Sequence, residues 1–236
     1  MVERYLRERF LDAPAFAARC GIDEPTLSRL IASGLAPGAS YEVDDAGTMR
    51  SLVFGAVPSP GAPMGQWFNP SMAPWVARGH DSLAAHDGDV AVAAASLQAR
   101  FREGYRVALQ AVHAEEGSIP GFADAQGRFD DAAFDTQFPS LWQHLLAGTY
   151  GLCVAHPLDE AHIAAKETVQ ARLTQLTDNG SRRDFSDAER TAVRGLIARY
   201  QAVSMPFSPA EYHRSSRKRL VDDLLPHVTT PDTRSQ

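Results

Sequence analysis

Four residues with metal-ligating side chains fall in one short stretch, WQHLLAGTYGLCVAHPLDEAHIAAKE: His144, Cys153, His156 and His162. Zinc prefers imidazole and thiolate, four ligands in a structural site and three plus water in a catalytic one. Cys153 and His156 stand at a C-x-x-H spacing that can chelate from a turn. His162 would add a third ligand from the following helix and His144 a fourth from the preceding one. A second chemistry for the same residues is nucleophilic, with Cys153 activated by His156 or His144. Neither pattern is specific. No C-x-x-C pair or H-E-x-x-H accompanies it, and nothing in the sequence supplies a third, orienting group. The structural alternative makes Cys153 a small buried apolar residue and places the histidines at surface or cap positions.

Lys166 is one of only two lysines, with Lys218, and lies four residues after His162, on the same face of a helix. Arg214, Arg217, Lys218 and Arg219 form the densest positive cluster. Arg214 and Lys218 share a helical face that could hold a phosphate or carboxylate, although a solvated surface is the usual role of such a run. The turn Gly148-Thr149-Tyr150-Gly151 lets the backbone approach another group closely, more often for packing than for a ligand. It lacks the spacing of a phosphate loop, no dinucleotide fingerprint occurs, and the sequence names no cofactor. Trp67, Phe68, Trp75, Trp142, Tyr150 and Tyr212 would line an apolar pocket or fill a core. Together these residues nominate a small-molecule pocket built from Trp142, His144, Tyr150, Cys153, His156, Lys166 and Arg217.

The elements that must position them are mostly helical. Residues 2–36 read as three short helices, the second starting near Asp12 and the third capped by Asp23 and ended by Gly34. SYEVDDAGTMRSLVFGAV reads as a β-hairpin turning at Asp44–Gly47. VPSPGAPMG cannot sustain helix or sheet and marks the best boundary in the chain. From residue 89, Leu97, Phe101, Tyr105, Leu109 and Val112 make a helical stripe ending at Gly117. Phe134, Phe138, Leu141, Trp142 and Leu145 make the next, with Pro139 expected to start a fresh segment. A helix opens near Pro157. Two capping boxes, Ser186 with Glu189 and Ser208 with Glu211, announce the last two helices. The expected fold is mainly α: a multi-helix globular domain with an N-terminal helix-turn-helix-like tri-helical segment and a small β-hairpin. The expected divisions are 1–57, an ordered Pro/Gly-rich connection over 58–88, a main helical domain over 89–226 and a disordered tail over 227–236.

The segment AFAARCGIDEPTLSRLIASGLAP raises DNA binding, with Thr26, Ser28 and Arg29 on the exposed face of its second helix. Charge argues against it. Residues 1–36 balance five basic against five acidic side chains, the hairpin is acidic, and the whole chain carries −6. A DNA reader ordinarily shows a positive excess, so nucleic acid is a secondary expectation. The opening MVERYLRERFLDAPAF interleaves charges with apolar residues, unlike a secretory signal, and no apolar run could span a bilayer. Two cysteines are too few for a disulfide framework. A cytoplasmic location is expected, with no membrane partner and no prediction of oligomeric state.

Several segments, taken together, resemble one bacterial family of unknown function whose members are described as natural-product biosynthesis proteins. They are SGLAPGASYEV, WFNP with its following Trp75, LWQHLLAGTYGLCV with the AAKE after it, and FSPAEYHRSSRKRLVDDL. The resemblance runs from about residue 25 to 225. It implies that the GTYGLC turn and the SSRKR helix belong to one shared architecture in a secondary-metabolism context, and that the N-terminal helices are integral to it. It brings no catalytic residues. Three readings follow: an accessory protein that binds or transforms a small molecule between helices, a helix-turn-helix transcriptional regulator, and a non-catalytic protein-interaction module.

Overall fold

A computed structural model describes residues 1–229. The chain is mainly helical, and the helices opening at Ala13, Glu24, Val90, Asp131, Glu160 and Asp187 begin where an aspartate or serine side chain accepts from their free amides. Helices α1 (Val2–Arg9), α2 (Ala13–Arg19) and α3 (Glu24–Ala32) come first. The Asp12 carboxylate accepts from the Ala15 amide at 3.0 Å and that of Asp23 from the Thr26 amide at 2.8 Å, as the cap signals require. Helix α4 (Ala73–Ala85) leads to the 27-residue α5 (Val90–Glu116), capped by Asp89 and stopped by Gly117 in the left-handed region. Then follow α6 (Asp131–Leu146), the short α7 (Thr149–Cys153), α8 (Glu160–Leu176), α9 (Asp187–Val203) and α10 (Leu225–Thr229).

The predicted hairpin is present as β2 (Tyr41–Val43) and β3 (Thr48–Ser51), but it is the middle of a larger sheet. β1 (Leu11–Asp12), β4 (Gly55–Pro58) and β5 (Gly65–Phe68) complete five antiparallel strands in the order β1-β5-β2-β3-β4. The Pro/Gly-rich stretch is therefore no boundary: β4 and β5 flank it, and β5 pairs back onto β1 and β2. Pro58 is tolerated because β4 is an edge strand, where a missing N–H breaks no central ladder. Tyr41 and Val43 point inward, whereas Glu42 points out and accepts from Gln66 Nε2 at 3.0 Å.

Among the described residues, three apolar clusters hold the fold together. The largest joins Phe16, Leu27, Trp75, Phe101, Phe134 and Ile163, and so draws α2, α3, α4, α5, α6 and α8 together across the expected divisions. The second lies under the sheet, where Tyr5, Tyr41, Met49 and Phe54 meet Cys153, Met205 and Phe207. The third packs α8 and α9 against Leu220, Leu224 and Val228.

Other expectations need correction. The stretch read as connection over 58–88 contains α4. Pro139 lies inside α6 without breaking it. Ser208 opens no regular helix, because Glu211 is buried and accepts a hydrogen bond from Tyr41 instead. A 3-10 turn (Tyr212–Arg214) and a π-turn (Lys218–Asp222) follow. Order continues through Thr229, with Val228 fully buried, where a tail from 227 was expected. The rest of that tail, residues 230–236, lies outside the described residues. The N-terminal helices are not an autonomous module, since Phe16, Leu27 and Leu30 enter the largest cluster.

Two glycines show why the interior is so closely fitted. A Cβ on Gly79 of α4 would stand 1.7 Å from the Leu35 carbonyl oxygen. One on Gly148, whose φ is +70°, would stand 2.3 Å from the Gly38 carbonyl oxygen. The GTYGLC turn thus packs on the loop at residues 38–40, where the Gly38 amide donates to the Leu146 carbonyl at 2.8 Å.

Candidate functional site

The four nominated zinc ligands do not converge. His144 lies edge-on to the Tyr150 ring at 6.3 Å, Cys153 is buried, His156 is exposed beside the Ser71 hydroxyl at 3.4 Å, and His162 binds its own cap Asp159 at 2.6 Å. Among the described residues no group of three or more histidine, cysteine, aspartate or glutamate side chains is disposed to hold a metal. The reason is local. His156 and His162 sit on the exposed side of the 154–162 segment, whereas Cys153 ends a helix that is buried throughout.

Tyr150, Cys153 and Lys166 do come together, in a buried polar cluster with Tyr105 and Tyr200 and with the partly exposed Glu167 at its edge. Lys166 is 3% exposed, although His162, four residues earlier on the same helix, is exposed. Its ammonium donates to Glu167 Oε1 at 2.9 Å. Burial opposes its charge, but Glu167, Cys153 and Tyr200 outweigh that and hold its pKa above the usual lysine range. Burial pushes the Cys153 thiol up to about 11. At neutral pH the amine is protonated and the thiol neutral, so neither is a nucleophile. His144 and His156 have other contacts and do not alter this.

The aromatic set also divides. Trp67 and Tyr212 belong to the cluster under the sheet, while Phe68, Trp75, Trp142 and Tyr150 belong to the largest cluster. Arg217 is a tie within the fold, donating to the Ser204 carbonyl at 3.0 Å beside the bridge between Val154 and Ser204. Lys218 pairs with Asp223, and Arg214 lies over the Phe54 ring. The basic cluster is therefore not one anion-holding face.

Two open spaces lie elsewhere, on the two sides of α4, besides a shallow hollow of about 290 Å³ on the sheet beside Glu42, Arg50 and Gln66. A cleft of about 400 Å³ separates α3 from α4 and the start of α5. Leu30, Leu35, Leu83 and Val90 make its apolar wall, and Thr26, Arg29, Ser33 and His80 supply polar groups. Arg29 is exposed and held by a 2.8 Å hydrogen bond to the Thr26 hydroxyl, which leaves its remaining N–H groups for a guest. The residues nominated for DNA thus part company: Thr26 and Arg29 line a walled cleft, and Ser28 does not. On the opposite side of α4 a second groove, about 210 Å³, runs between α4 and α5. Trp142 lines a water-sized recess of about 10 Å³ at its inner end. None of Tyr150, Cys153 and Lys166 lines either space.

The sequence reading missed the lining residues Leu30, His80 and Leu83 because they belong to a cavity only once α3 and α4 are docked. One signal was available in the glycine of GHDS, where Gly79 permits the close approach of α4 to Leu35 that sets the floor of the cleft. No helix among the described residues is long and apolar enough to cross a membrane.

No curated protein and no protein of solved structure matches the chain. The profile of a family of unknown function, DUF6058, matches residues 97–228, from within α5 into α10 and more than half of the chain; the chain belongs to that family.

Proposed function

We propose that this protein binds a small amphipathic molecule, with an apolar body and one anionic group, in the cleft between α3, α4 and α5. The observation that carries the reading is the cleft itself: an apolar wall of Leu30, Leu35, Leu83 and Val90 faced by Arg29 and His80. Its volume is in the range of small-molecule sites, which pair mostly apolar walls with a few oriented polar groups. Arg29 would take a carboxylate, sulfonate or phosphate by charge-assisted bonds, and His80 would add a donor from the other wall. A natural-product context rests on the resemblance of the quoted segments alone.

The same geometry favours this reading over transcriptional regulation. A base-reading helix must project its polar face into a groove of the duplex, whereas Thr26 and Arg29 of α3 face α4 and α5. Native mass spectrometry of protein purified without added ligand, combined with titration of anilinonaphthalene sulfonate, tests the proposal. The expected result is a bound organic mass or saturable dye binding, weakened about tenfold or more by Arg29→Gln. Dye binding unchanged in Arg29→Gln and in Leu83→Ser would sink it. Salt-sensitive duplex binding lost in Arg29→Gln would favour the regulator instead.

A further inference from the structure

The groove on the far side of α4 has a different chemistry. Arg78 and Asp81 come from α4, Arg100 comes from α5, and Leu97 forms the floor between them. Arg78 is already committed. Its guanidinium lies 4.3 Å over the Trp75 ring and bonds to Glu160 Oε1 at 2.8 Å, with both partners well shielded. Glu160 in turn lies against Gly104, where a Cβ would come within 2.9 Å of its carboxyl group, so the pair is fixed to the backbone of α5. That pair neutralises itself.

What remains is the cation Arg100, the anion Asp81 and the half-buried imidazole of His86. Arg100 and Asp81 line the same groove, yet among the described residues neither side chain makes an ion pair or hydrogen bond, with the other or with any other residue. Ser82 stands on the same wall and donates its hydroxyl hydrogen to the Ala93 carbonyl at 2.9 Å, so its oxygen lone pairs remain free to accept. A simple anion would meet Arg100 but also the repulsion of Asp81, and a simple cation the reverse. A molecule carrying both charges a few ångströms apart satisfies both walls.

We propose that the α4–α5 groove binds a free α-amino acid, its carboxylate on Arg100 and the outer N–H of Arg78, and its ammonium on Asp81 and the Ser82 oxygen. The side chain lies along Leu97. Because the recess beyond it, lined by Phe101 and Trp142, is only water-sized, small side chains are preferred over aromatic ones. This site is separate from the α3 cleft and does not rest on the reading given for it.

Calorimetric titration of the full chain at low ionic strength with glycine, alanine, serine, phenylalanine, acetate and ethylammonium tests the assignment. Trp75 lies beneath Arg78, so intrinsic fluorescence gives a second readout. The expected result is one-to-one binding of a small amino acid, at least about tenfold tighter than acetate or ethylammonium, and weakened about tenfold by either Arg100→Gln or Asp81→Asn. Both side chains are exposed, and unchanged melting temperatures would show that the variants fold. Three results would overturn the proposal. One is no binding of any amino acid at about 10 mM, and another is amino-acid binding that neither substitution affects. The third is acetate binding as tightly as alanine and strengthened by Asp81→Asn, which would mark a plain anion site.

Discussion

Glu211 gives the sharpest test of the energetics. Its side chain is fully buried and accepts from the Tyr41 hydroxyl at 2.8 Å, while Oε1 makes no hydrogen bond of good geometry, with Ser51 also acting on the carboxyl group. Burial raises its pKa to about 7 from an ordinary 4.5, against the opposing effects of the Tyr41 hydrogen bond and Arg214. The folded carboxyl therefore keeps its proton up to about pH 7, whereas the unfolded chain releases it near 4.5. Between those values the folded state binds more protons, so stability falls as pH rises. The pKa difference corresponds to about 3 kcal/mol, an order-of-magnitude figure for a group shielded from solvent. Glutamine has the shape of the protonated acid and cannot ionise. Relative to wild type, Glu211→Gln is expected to change stability little at pH 4.5 and to gain about 3 kcal/mol by pH 8. Urea unfolding followed by tryptophan fluorescence across that range measures the difference directly. Subtracting the two curves cancels the other titrating groups. A difference that stays flat with pH would show that Glu211 is ionised in the fold, and the argument from burial would fail.

Gly79→Ala sets a Cβ against the Leu35 carbonyl and is expected to cost more than about 3 kcal/mol or prevent folding, whereas Gly195→Ala, in open space on α9, should add about 0.5–1 kcal/mol. Thermal melts of the two variants check the pair, and similar melting temperatures would contradict the packing described. Cys153 should resist an aromatic disulfide reagent at pH 8 until the protein is unfolded in urea, because its thiol is buried and protonated. Mass mapping of rapid labelling to Cys153 in the folded protein would refute this.

The parts legible in the sequence are those in which a local group satisfies a local need. Asp23 and the reciprocal pair Ser186 and Glu189 cap their helices as their spacing predicts. Ser208 and Glu211 have the same spacing and a different fate, because Tyr41, 170 residues earlier, takes the carboxylate. β1 is two residues long and exists only because Phe68 and Trp67 arrive to pair with it. The candidate site was hidden for a related reason. Rare residue types drew attention to Cys153, Lys166 and the histidines, yet rarity marks burial as readily as chemistry. Thr26 and Arg29 stand out only as possible DNA contacts, and Asp81 and Arg100 are ordinary residues distinguished only by the cavities on the two flanks of α4.

The cluster beneath the sheet has a temporal consequence. Tyr5, Tyr41, Met49 and Phe54 are synthesised early, but the residues that cover them include Met205, Phe207 and Glu211. While the ribosome works through the intervening helices, the nascent sheet presents an uncovered aromatic face and strand edges open to pairing. Such a surface is what chaperones recognise and what draws unfinished chains into aggregates. Release-arrested chains ending before residue 205 should therefore be chaperone-dependent in a way that chains ending after 229 are not.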